Sequence, residues 1–120
     1  MTTKDVMNLD YRKEENRKII QKVLRQIKPL SKYSDEYDIP FEAIEKAVTV
    51  MMKKYNLAIR ELLPDVFSNE SNIIWRATIV NSVNFKKVDI VCGITLYEVF
   101  AKVVIRLYSD VKSGKAKRNT

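Results

Sequence analysis

Residues 88–111 constrain the fold most, because they combine a long apolar stretch with a narrow polar strip. The strip consists of Glu98, Lys102, Arg106 and Asp110, one residue in every four. This spacing places the four side chains along one line of a helix whose other faces are apolar. Such a helix must be surrounded by other elements, so the pattern predicts the central hydrophobic helix of a compact bundle.

Two further helices are predicted from apolar periodicity and from the positions of the prolines. Apolar residues recur at helical spacing over residues 9–28, with charged residues largely on the other side. A second stripe opens at Pro40 and ends before Pro64, because proline is favoured in the first helical turn and breaks a helix interior. Its length predicts a bend or break near residues 48–50.

Residues 72–83 are rich in β-branched side chains and fit a strand by propensity alone. No other segment alternates with period two, so such a strand has no evident partner, and Ser68, Asn69 and Ser71 offer helix caps just upstream. The sequence therefore predicts an all-α fold. It comprises one compact helical bundle over residues 1–111 and a disordered basic tail over 112–120.

The composition excludes most familiar enzymes. The chain has no histidine, two glycines and one cysteine. These counts exclude a Ser-His-Asp triad, a Cys-His pair, His-ligated zinc and a glycine-rich phosphate loop. Cys92 can close no intramolecular disulfide and is expected to be a small buried apolar residue. We expect a protein that is not an enzyme and holds no cofactor and no metal.

The formal net charge of +7 is concentrated towards the end of the chain. Four of the cationic side chains in this region are those of Lys112, Lys115, Lys117 and Arg118. Lys86 and Lys87 precede the predicted central helix, where the helix dipole disfavours cations, which suggests an anionic partner. Because the chain is basic and residues 77–91 faintly mimic a helix-turn-helix, a small DNA-binding regulator is the alternative function.

Nothing in residues 1–20 has the form of a signal peptide, and no uncharged apolar stretch reaches the roughly 18 residues that a transmembrane helix needs. We expect a cytoplasmic protein with no transmembrane segment.

Residues 84–88 read Asn-Phe-Lys-Lys-Val and lead into the apolar run 89–100. This arrangement resembles the first homology motif of the Bcl-2 apoptosis regulators, in which Asn-Trp-Gly-Arg-Ile leads into their central hydrophobic helix. Residues 54–62 are similar to that family's second helix, where an aromatic residue, an alanine and two apolar residues line a peptide groove. The chain ends before the family's second homology motif, as expected of a truncated, virus-encoded homologue.

This resemblance implies an apoptosis inhibitor that sequesters pro-apoptotic BH3 helices in a hydrophobic groove. Lys87 would pair with an aspartate of the bound helix. The implied groove residues are Met51, Tyr55, Ala58, Ile59, Leu62, Asn84, Phe85, Lys87 and Ile90. The protein would act in the cytoplasm, of the host cell if viral, with a peripheral location at mitochondria as a further expectation.

The apolar stripes are wider than so short a bundle can cover, which leaves apolar surface for a partner. We therefore expect a homodimer. A purely structural helical dimer is the third interpretation.

Overall fold

The chain forms a mixed α/β fold, seen in a computed structural model that describes residues 10–66 and 73–112. The elements are, in order, helix α1 (Glu14–Gln26), a 3-10 helix (Lys28–Tyr33), helix α2 (Phe41–Lys54), strands β1 (Leu57–Val66), β2 (Ile73–Asn81) and β3 (Lys87–Gly93), and helix α3 (Leu96–Lys112). The three strands form an antiparallel sheet with β2 in the middle.

The prediction of an all-α bundle is therefore wrong. The predicted second helix includes residues 57–63 and the predicted central helix includes residues 88–93, yet both segments belong to strands. They are the two partners of β2. The strand propensity of residues 72–83 is thus a correct signal, and its two pairing partners are segments whose pattern predicts helices.

Two local features make the helices shorter than predicted, one at the end of α2 and one at the start of α3. Asn56 adopts a left-handed conformation with φ 56° directly after α2, and asparagine is one of the few residues that tolerate this helix stop. Thr95 caps α3, because its hydroxyl oxygen accepts a hydrogen bond from the Glu98 N–H at 3.1 Å. Thr95 and Glu98 have the spacing of a capping box, which marks a helix start inside residues 88–111.

Strand β3 and helix α3 approach each other closely at Gly93. A Cβ atom added to Gly93 would lie 3.0 Å from the Val99 nitrogen and 3.1 Å from the Glu98 side chain. A larger residue would push the first turn of α3 away from the sheet.

The core lies between the helices and one face of the sheet, with α3 at its centre. Residues 99–107 of α3 are all buried, and α3 contacts α1, α2, β2 and β3. The inward-facing strand residues Ala77, Ile79 and Val91 belong to this core. The buried helix predicted over 88–111 thus exists only from Leu96 onwards. Cys92 is buried, as predicted.

Within the polar strip of α3, Lys102 and Arg106 are buried and face strand β3. The Lys102 side chain is 1% exposed, and its Nζ lies 2.9 Å from Glu98 Oε1. The same Nζ donates a hydrogen bond to the backbone oxygen of Cys92 at 3.0 Å. One turn later, Arg106 Nε and Nη2 lie 2.9 Å and 2.7 Å from Asp89 Oδ2. These contacts give the buried cations oxygen partners on β3.

We predict that Asp89→Ala lowers the free energy of unfolding by about 3 kcal/mol, because it leaves the Arg106 guanidinium buried without its carboxylate. Urea denaturation followed by circular dichroism measures this. The matched control is Asp35→Ala, which removes an exposed pair with Arg25 at 4.0 Å and should leave stability unchanged. The double variant Asp89→Ala, Arg106→Met should recover part of the loss. Equal stability of the two single variants would contradict the role assigned to the buried pair.

Candidate interaction surface

The connection between β2 and β3 is a closely hydrogen-bonded turn. The Asn81 N–H donates to the Lys86 oxygen, and the Phe85 N–H donates to the Asn81 oxygen, both at 2.9 Å. The Asn81 side-chain oxygen accepts the N–H groups of Val83 at 2.8 Å and Asn84 at 3.2 Å. Asparagine side chains form such bonds in turns, and here they hold the loop in one conformation.

Phe85 is strained in this turn. Its φ is 61°, in the left-handed region that glycine and asparagine adopt readily but a bulky residue rarely does. The ring is nevertheless 66% exposed, so the fold recovers little burial energy from it. An exposed aromatic side chain at a strained position favours a binding role over a structural one.

Other apolar and basic residues surround this ring. Val83 is 74% exposed and Val88 is 50% exposed. Lys86 and Lys87 are also exposed. These five residues, Val83, Phe85, Lys86, Lys87 and Val88, are called the hairpin surface below. It combines exposed apolar groups with cations.

The end of α2 adds a further cation beside the hairpin surface. The Ser82 N–H donates to the Asn56 oxygen at 2.8 Å, which ties the turn to the end of α2. Lys53 lines a shallow cavity together with Ser82 and is exposed. Within residues 10–66 and 73–112, Lys53, Lys86 and Lys87 form no ion pair. In the described part of the chain, no carboxylate thus neutralises these three charges.

Apolar residues also lie on the sheet face that points away from the helices. Strand alternation and register place the following residues on this outer face: Ala58, Glu61, Leu63, Ile74, Arg76, Thr78, Val80, Lys87, Ile90 and Cys92. Leu63 is 48% exposed, and Ile94, just after β3, is 67% exposed. An antiparallel sheet covered on one side usually has a polar opposite face. Thr78, Val80 and Cys92 are buried, so the second candidate contact surface consists of the exposed side chains of Leu63 and Ile94.

The predicted groove residues lie on several different surfaces. Met51 and Tyr55 line a cavity of about 330 Å³ with residues of α1 and α3. Ala58 and Ile59 line a separate cavity of about 550 Å³ between α2 and β1. Leu62 packs against the core, and Ile90 lies on the outer face. Asn84, Phe85 and Lys87 form a third group, at the β2–β3 turn and the start of β3.

Sequence reasoning missed Val83, Val88 and Lys53 as parts of this surface. The signal for the turn was present, because Asn81 and Asn84 bracket residues between two β-branched runs. Lys53 becomes a neighbour only through the hydrogen bond between Ser82 and Asn56, which no local pattern reveals.

Comparison with known proteins gives no relative: no family model matches the chain, and no curated protein or solved structure is significantly similar to it. In the part of the chain that the structure describes, no group of three or more His, Cys, Asp or Glu residues could hold a metal ion. None of the described helices has the length and apolar character needed to cross a bilayer.

We predict that Phe85→Gly raises the free energy of unfolding by about 1 kcal/mol, because glycine removes the left-handed strain and little burial is lost. Thermal melts followed by circular dichroism measure this. Asn56→Gly is the matched control, and it should change stability less because asparagine already tolerates its φ of 56°. A less stable Phe85→Gly variant would show that the ring supports the fold.

Proposed function

We propose that this chain is a non-catalytic protein-binding module that inserts its hairpin surface into an apolar pocket with an acidic rim on a partner protein. The observation that carries the proposal is Phe85, held largely in solvent at a strained φ of 61°. Burying such a ring in a partner's pocket contributes about 1.5–3 kcal/mol to binding. Lys53, Lys86 and Lys87 favour an acidic rim and speed the encounter.

The chemistry of the hairpin surface favours a protein partner over a nucleic acid. Val83 and Val88 are aliphatic, and they gain most from an apolar pocket rather than from phosphates. Binding to single-stranded nucleic acid uses a groove of cations with several aromatic side chains for stacking, whereas the hairpin surface offers a single ring. Nucleic-acid binding, the alternative expected from the sequence, is therefore an outcome that the experiment must distinguish.

Sequestration of BH3 helices, the function implied by the Bcl-2 resemblance, stays an untested prediction. It depends on a groove between helices, and the residues expected to form that groove lie on separate surfaces. Neither an apoptotic role nor a viral origin has support from the fold or from the comparisons.

Peptide selection from a random library on the wild-type protein, with counter-selection on Phe85→Gly, tests the proposal. We expect selected peptides to combine apolar anchors with Asp or Glu residues. Their affinity, measured by fluorescence anisotropy, should fall by about 10-fold to 100-fold in Phe85→Gly, the loss that corresponds to burial of one ring. Lys86→Glu, Lys87→Glu should weaken binding mainly through slower association.

Lys28→Glu is the control for charge, because Lys28 is exposed on the 3-10 helix away from the hairpin surface. Its affinity should stay close to wild type. Peptides that bind Phe85→Gly equally well would refute the proposal. So would tight binding of an oligonucleotide that is lost in Lys86→Glu, Lys87→Glu and unaffected by Phe85→Gly. BH3 peptides measured in the same assay test the function that the resemblance implies.

Self-association, expected from the sequence, is a separate prediction. A second copy would bury the exposed side chains of Leu63, on the outer face, and Ile94, just after β3. Sedimentation velocity over a wide concentration range should then show a dimer that Ile94→Glu abolishes and Val83→Glu does not. A wild-type monomer at all concentrations would contradict the expected homodimer.

A further inference from the structure

A cavity of about 380 Å³ lies where α1, the loop before α2 and the start of α3 meet. Its volume falls within the range of small-molecule sites. The lining residues are Tyr11, Arg12, Arg17, Ile20, Tyr37, Asp38, Ile39 and Tyr97. None of them belongs to the hairpin surface or to the outer face, so this cavity is independent of the function proposed above.

Arg17 is the polar group that most needs a partner in this cavity. Its Nε is buried and has no hydrogen-bond partner among the described residues. An unsatisfied buried donor is costly, and such groups are rare in folded proteins. Its guanidinium carbon lies 4.5 Å from the centre of the Tyr37 ring, which places the group over that ring. Arg17 also lines the cavity, and the two terminal nitrogens of an arginine form a fork that matches two oxygens of one oxyanion.

Tyrosine rings form the walls of this cavity. The centres of the Tyr11 and Tyr97 rings are 5.5 Å apart, with 51° between their planes. The Tyr97 hydroxyl donates to the Ile39 oxygen at 2.7 Å, which joins the loop before α2 to α3. Burial raises the pKa of the Tyr97 phenol, with smaller contributions from Tyr11 and Asp38, so this donor stays protonated at neutral pH.

The segment before α1 is also held in place. The Asn16 side-chain amide donates to the Asp10 oxygen at 2.7 Å, and the Asp10 carboxylate accepts the Arg12 N–H at 2.9 Å. These bonds position Tyr11 and Arg12 at the cavity.

We infer that this cavity binds a small molecule in which an aromatic ring carries a carboxylate or a phosphate. The oxyanion accepts the Arg17 fork, and the ring packs against Tyr11, Tyr37 and Tyr97. A cationic ligand is disfavoured, because Arg17 and Arg12 already lie over the Tyr37 and Tyr11 rings. Asp38, on the same cavity, accepts a hydroxyl or amino donor from the ring and disfavours a second anionic group there.

Isothermal titration calorimetry with 4-hydroxybenzoate and phenyl phosphate tests this inference on the full chain and distinguishes the two oxyanions. Phenol and inorganic phosphate are the controls, since each carries only half of the proposed chemistry. We expect at least one of the two probes to bind with a Kd of about 1 mM or better, and both controls to bind at least about tenfold more weakly.

Arg17→Lys keeps the charge but loses the fork, and should weaken the bound probe by about tenfold or more. Arg25→Lys is the matched control on the same helix, with a side chain that is 60% exposed and outside the cavity. Tyr37→Ala removes a ring that is 76% exposed, so it should weaken binding without unfolding the protein.

Four results would overturn the inference: no binding of either probe at millimolar concentration, equal binding of phenol, equal binding of inorganic phosphate, or unchanged affinity in both Arg17→Lys and Tyr37→Ala.

Discussion

The contacts of the buried cations Lys102 and Arg106 with β3 are the constraint on which the rest of the fold depends. Both residues lie inside the protein, and a buried charge without a partner costs several kcal/mol. Glu98 of α3 itself pairs with Lys102, but a purely apolar ring of helices around α3 would offer no carboxylate to Arg106. Strand β3 offers both cations a partner, because Asp89 supplies a carboxylate and the edge strand supplies a backbone oxygen at Cys92. The same contacts fix β3 beside α3, and β3 in turn positions β2 and the hairpin.

The sequence predicted helices well where one apolar stripe has room to repeat. The stripe over 9–28 and the start at Pro40 correspond to α1 and α2. The prediction from the sequence is wrong where the same residues fit both a helical period and a strand period. In 88–93, Val88, Ile90 and Cys92 alternate with Asp89, Val91 and Gly93, and the apolar Val91 in the second set masks the period of two. The stop at Asn56 and the cap at Thr95 would have separated these strands from their neighbouring helices.

Pro64 illustrates how the same residue supports two interpretations. It was expected to end a helix, and instead it lies within β1, opposite Trp75. Proline is tolerated in an edge strand because one side of the strand makes no ladder hydrogen bonds. The location of β1 at the edge depends on the whole sheet. For the same reason, the candidate surface was only partly predictable: Asn84, Phe85 and Lys87 are local to one turn, whereas Lys53 joins them through the fold.

The central claim is that residues 87–93 form a strand paired with β2 and buttressed by α3. Backbone NMR on uniformly labelled protein tests it most directly. The account predicts extended chemical shifts over 87–93, a switch to helical shifts at Leu96, and cross-strand proton contacts in the register that pairs Ala77 with Val91. Continuous helical chemical shifts from residue 88 to residue 111, without cross-strand contacts, would contradict this claim and support a helical bundle instead.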